Sequence, residues 1–118
     1  MGYFISMTIE SPTEPLQQLF AAIQGLRNKA AEEILRSPKY DPVSQMPILV
    51  LDRATDEVDP FLRTTVETVK PEATDILATR KKSAVNTYMN IGVSEDTAKA
   101  LVDAILEKWR LINTGHLG

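Results

Sequence analysis

The segment SEDTAKALVDAILEKWRLI, residues 94–112, carries the clearest helical pattern in the chain. Ala98, Leu101, Val102, Ile105, Leu106, Trp109 and Ile112 recur at intervals of three and four, which sets them along one face of an α-helix. Ser94 is a good N-cap, and Glu95 and Asp96 suit the positive end of the helix dipole. Gly115 follows as a stop signal. An apolar stripe this complete has to be covered by other helices, and Trp109 reads as part of it rather than as a platform for a ligand.

Upstream, Gly92 supplies the left-handed position that ends a preceding helix. Pro71 fits the first turn of that helix, and Ala73, Ile76, Leu77, Ala84, Tyr88 and Ile91 trace its face, with Arg80 on the same side. Asp59-Pro60 reads as the N-cap and first residue of a short helix marked by Phe61, Leu62, Thr65, Val66 and Val69. Before it, Ile48-Leu49-Val50-Leu51 is apolar on both faces and fits one buried strand, or else the first turn of a helix. Prolines 38, 42 and 47 make Ser37 to Pro47 a non-helical connection.

The first helix is long. Thr13 is its expected N-cap, Glu14 and Pro15 suit its first turn, and Leu16, Leu19, Phe20, Ile23, Leu26, Ala30 and Ile34 hold one face to about Arg36. That stripe is near-heptad, so it can pack inside a bundle or against the same helix of another copy. Gly25 is a weak point within it, at about 1 kcal/mol relative to alanine. Residues 3–9 alternate Tyr3, Ile5, Met7 and Ile9 and read as a short strand or extended arm that could pair with residues 48–51. The expected fold is all-α, a four-helix bundle-like domain over residues 13–118 behind an extended arm at 1–12. Residues 3–9 and 48–51 are the candidates for a minor two-stranded β element.

Composition removes several kinds of chemistry. The chain has 118 residues, no cysteine and one histidine, His116, so thiolate sites, zinc sites and histidine-dependent triads are not expected. A net charge of −3 works against phosphate backbones and anionic lipid surfaces. No apolar run is long enough for a membrane span and no signal peptide is legible, so a cytoplasmic or virion-interior location is expected. Met1-Gly2 opens a bare myristoylation pattern, but the aromatic pair Tyr3-Phe4 and the lack of a basic cluster count against its use, and Met7 is a second candidate start. Ile48 to Asp52 resembles a magnesium-holding strand and aspartate, yet no Gly-x-x-x-x-Gly-Lys loop accompanies it. Asp52, Asp56, Glu57 and Asp59 form a carboxylate cluster, with alanine and valine where a calcium loop needs oxygen ligands. Glu32-Glu33 beside Arg36 are explained by pairing along one helix face. No catalytic residue, metal or cofactor is expected.

Tyr88-Met89-Asn90-Ile91-Gly92-Val93-Ser94-Glu95-Asp96-Thr97-Ala98-Lys99-Ala100-Leu101 resembles the core of a helix-turn-helix of the bacterial repressor kind. The resemblance covers about fourteen residues and implies a DNA-binding regulator using residues 85–105, with Arg80, Lys81, Lys82, Ser94, Thr97 and Lys99 as its contacts. It departs from the pattern at Tyr88, where a small side chain is expected, and at Glu95 and Asp96, which would face phosphates. A glycine C-cap and a serine N-cap joining two antiparallel helices explain the same Gly-Val-Ser turn. The leading expectation is therefore a non-enzymatic interaction or assembly protein, acting as a homo-oligomer or with another protein. Its expected contact residues are Tyr3, Phe4, Ile5, Leu16, Leu19, Phe20 and Ile23.

Overall fold

The computed structural model describes residues 14–41, 43 and 46–115. Four helices follow one another: α1 (Glu14–Arg36), α2 (Pro47–Thr68), α3 (Thr74–Met89) and α4 (Glu95–Gly115). Thr13, His116 and residues 3–9 lie outside the described residues, as does the expected arm at 1–12. Among the described residues there is no strand, and no helix is long and apolar enough to cross a membrane.

Cross-helix bonds define an up-down-up-down bundle. Thr55 pairs with Tyr88 and Thr65 with Arg80, so α2 and α3 run antiparallel. Lys81 reaches Asp103 from α3 to α4, and Met89 shares a groove with Glu95, which makes that pair antiparallel too. At one end Glu33 of α1 meets Ser94 and Thr97 of α4, while at the other Pro15 and Leu19 lie by Glu107 and Leu111. The core is built from Ala30 and Ile34 of α1, Leu51, Ala54, Val58 and Leu62 of α2, Ala84, Val85 and Tyr88 of α3, and Ala98, Leu101, Val102, Ile105 and Leu106 of α4. The stripe expected over residues 98–106 is buried in this core.

Residues 48–51 are helical, not a strand. Pro47 stands in the first turn of α2, where its missing N–H has no helical partner to lose, and Leu51 opens a buried row with Ala54, Val58, Leu62 and Thr65. That row has helical spacing, so the run that looks two-faced in isolation is one turn of α2, with Leu49 outward and Leu51 inward. Nor do Asp59 and Pro60 begin a helix: α2 runs through Pro60 without a break. An interior proline costs about 3 kcal/mol. The buried row on either side of it, with Leu62 wholly enclosed, offsets that penalty. Pro71 likewise precedes α3 and sits in a turn closed by the Ala73 N–H donating to the Lys70 carbonyl at 2.9 Å. Ile76, expected on the inner face of α3, is exposed.

The turn between α3 and α4 forms as expected. Gly92 has φ +105°, and the amide of Thr97 donates to the Ser94 hydroxyl at 3.3 Å. In a capping box the side chain three residues after the cap reaches back to the cap's own amide. Here that residue is Thr97, which cannot do so, and Glu33 of α1 acts in its place. Its carboxylate accepts the Ser94 N–H at 2.9 Å and the Thr97 hydroxyl at 2.7 Å. Burial alone pushes the Glu33 carboxyl up, but the bonds from Thr97 and Ser94, with Lys29 nearby, more than offset this and hold it below its ordinary value.

A depressed folded-state value means that this stabilisation is full above the ordinary carboxylate range and is lost as pH falls through that range toward the folded value. Acid titration of unfolding free energy is expected to show this slope, and Glu33→Gln should flatten it. An unchanged slope in Glu33→Gln would mean that Glu33 is not the group responsible.

Candidate interaction surface

The apolar stripe of α1 is covered only in part. Core packing reaches this helix at Leu26 and encloses Ala30 and Ile34, whereas Leu16, Leu19 and Ile23 are half-buried and Phe20 is 48% exposed. Over this half, α1 leans on the last turns of α4, leaving a shallow groove between Leu19 and Leu111. Tyr3, Phe4 and Ile5 lie outside the described residues.

The same half of α1 has an unusual composition. From Pro15 to Leu26 the sequence reads PLQQLFAAIQGL and holds no charged residue, in a chain where a quarter of the residues are charged. Solvated helix faces in soluble proteins normally carry charges. Pro15, Gln17, Gln18, Phe20, Ala21, Ala22, Gln24 and Gly25 are nonetheless exposed. Nothing in the fold accounts for Gly25, since a Cβ there would meet no atom within 4 Å.

Further apolar side chains open onto solvent nearby in the chain. Leu35 near the end of α1, Val43 and Met46 in the connection and Leu49 in the first turn of α2 are all exposed. With Phe20 they make five of the six large exposed apolar side chains among the described residues, the other being Ile76. Leu49 lies one turn before Asp52, whose carboxylate takes two bonds of 3.0 Å from the Arg27 guanidinium and clamps α2 to α1. The α1–α2 hairpin therefore carries several exposed apolar side chains, and the Arg27–Asp52 pair lies between its two helices.

Sequence reasoning named Phe20 but not Leu35, Val43, Met46 or Leu49. The signal for the first half was present in the charge-free run at 15–26. For Leu49 it was hidden, because an unbroken apolar tetrapeptide does not show which member faces out.

Of the residues implied by the helix-turn-helix resemblance, Lys81, Lys82 and Lys99 line one groove between α3 and α4 together with Glu95 and Asp103, and the others lie elsewhere. Ser94 and Thr97 turn toward Glu33 on α1, and Thr97 is buried. Lys81 pairs with Asp103 at 2.8 Å and Lys99 with Glu95 at 3.1 Å, while Lys82 is exposed. Arg80 lies half-buried over the Phe61 ring, 5.3 Å from its centre. Tyr88, at the position where such motifs need a small residue, fills the core instead.

The carboxylates at 52–59 do not converge either. They are distributed around α2: Asp52 is committed to Arg27, and Asp59 accepts from Lys108 Nζ at 2.7 Å and Trp109 Nε1 at 2.9 Å. Trp109 is thus half-buried rather than enclosed, with Arg63 and Lys108 over its ring at 5.4 and 4.6 Å.

The described residues form an all-α, four-helix bundle with exposed apolar side chains on its α1–α2 hairpin. Comparison of the chain with protein-family models, curated proteins and solved structures finds no match.

Proposed function

We propose that this protein is a non-enzymatic assembly component, of the cytoplasm or a virion interior, that associates with a second copy of itself through the outer surface of the α1–α2 hairpin. The observation that carries this is the presence of exposed Phe20, Leu35, Met46 and Leu49 on one hairpin, whose opening run from Pro15 to Leu26 is free of charge. Contiguous exposed apolar surface marks interaction sites. The uncharged run from Pro15 to Leu26 also suits a like copy, because two identical runs meeting there bring no like charges together. Tyr3, Phe4 and Ile5 lie N-terminal to α1 in sequence and belong to the same proposal.

Sedimentation velocity of the full chain at high micromolar concentration is expected to show a dimer or larger species. Phe20→Glu combined with Leu49→Glu should return it to monomer with helix content unchanged, since both side chains are already about half in solvent. A strictly monomeric parent chain would overturn the proposal.

A DNA-binding role through residues 85–105 has less support, because Ser94 and Thr97 are engaged with Glu33 of α1 and Thr97 is buried. It would appear as salt-sensitive DNA binding lost on Lys81→Glu with Lys82→Glu.

A further inference from the structure

We propose that the half-open cavity between the end of α2, the start of α3 and the last turns of α4 binds a small anionic amphiphile, an apolar body carrying one carboxylate-type head. The cavity has a volume of about 410 Å³. That falls within the roughly 300–1,000 Å³ typical of small-molecule sites. Val66, Val69, Leu77 and Leu106 provide apolar walls, and the charged side chains that line it are Lys70 and Arg110, with no carboxylate among them.

Neither cation is strongly occupied. Lys70 has no ion pair among the described residues, and Arg110 reaches Glu107 only at 3.9 Å, with both side chains about half exposed. A pair of that kind contributes little and yields readily to a better placed anion. The site therefore offers an apolar interior and two available positive charges, in a protein whose overall charge is −3.

The larger groove between α3 and α4, about 480 Å³, lacks this character because Asp103 and Glu95 line it and already answer Lys81 and Lys99. An apolar body would replace water against the four aliphatic walls while its head lies between Lys70 and Arg110. Head-group charge is then the feature that selects the ligand.

The test is a titration of the ¹⁵N-labelled full chain with sodium decanoate below its micellar concentration, followed by amide shifts. Decyltrimethylammonium serves as the head-group control. Decanoate is expected to shift amides at residues 66–70, 77 and 106–114, and decyltrimethylammonium to leave them in place. Lys70→Glu with Arg110→Glu should weaken decanoate binding at least tenfold. Shifts centred on Phe20 and Leu49, an equal response to the cationic amphiphile, or unaltered affinity in the double variant would each overturn the proposal, as would no binding. Both substituted side chains are exposed, and the head-group comparison on the parent chain remains decisive even if the double variant fails to fold.

Discussion

Replacing Gly92 with valine is expected to destabilise the bundle by roughly 3–5 kcal/mol, the sum of backbone strain and overpacking. Two independent penalties meet at this residue. Its φ of +105° lies where L side chains rarely go, and a Cβ built on it would stand 2.6 Å from both Cβ and Oγ of Ser37. Ser37 cannot simply swing aside, because its Cβ is fixed to a backbone whose amide donates to the Ile34 carbonyl at 3.0 Å. Urea denaturation should show a lower midpoint with an unchanged slope. A companion cycle separates the penalties: with Ser37→Gly in place, the steric part of Gly92→Ala should vanish while the dihedral part persists. A Gly92→Val protein as stable as the parent would show that the turn can be rebuilt without its left-handed residue.

Tyr88→Ala is the second large expected loss, about 3–5 kcal/mol by the precedent of large aromatic truncations in cores. Tyr88 is completely enclosed, and its hydroxyl is 2.8 Å from that of Thr55 across the α2–α3 contact. Removing the ring opens a cavity between those helices. Tyr88→Phe removes only the hydroxyl and should cost about 1 kcal/mol, since Thr55 is half-buried and water can reach it.

The same burial has a pH signature. It pushes the Tyr88 phenol from its ordinary 10.0 up to about 12, against the opposing effect of the Thr55 bond. Here the folded value lies above the unfolded one, so the contribution is whole below pH 10 and declines as pH rises from there through about 12. Stability measured across that window should fall with pH in the parent and fall less in Tyr88→Phe. Equal slopes in the two proteins would count against enclosure of the phenol.

The parts of this fold that could be read directly were those where one local signal had no competitor. The stripe from Ala98 to Leu106 and the Gly92–Ser94 turn are of this kind, and so is the span of α1, bounded by a charged, proline-led start and the broken segment after Arg36. The second helix was misread because two local signals disagreed with a longer one. Asp59-Pro60 imitates a helix start and Ile48 to Leu51 imitates a strand, yet the row Leu51, Ala54, Val58, Leu62, Thr65 runs across both. Tertiary burial of that row outweighed a local proline penalty, which a window of a few residues does not reveal.

The hairpin surface was legible only where it overlaps the α1 stripe, at Leu16, Leu19, Phe20 and Ile23. How much of that stripe is left uncovered depends on where α4 and α2 lie against it, and this is a property of packing rather than of pattern. The Lys70–Arg110 cavity had no sequence signal, because its two cations are forty positions apart and meet only when the ends of α2 and α4 come together.

The bond from Glu33 to the start of α4 bears on the order in which the molecule assembles. Glu33 and Ser94 are separated by sixty-one positions, so the last helix begins to be properly terminated only once the first has docked. Contacts among α2, α3 and α4 close shorter loops and can form earlier, at smaller entropic expense. On this basis the closure of α1 onto α4 is the late step, whereas the Arg27–Asp52 contact, twenty-five positions apart, can join α1 to α2 earlier. The amide hydrogen of Ser94, although it sits at the edge of a helix where fraying is the norm, should exchange with solvent only as often as α1 detaches.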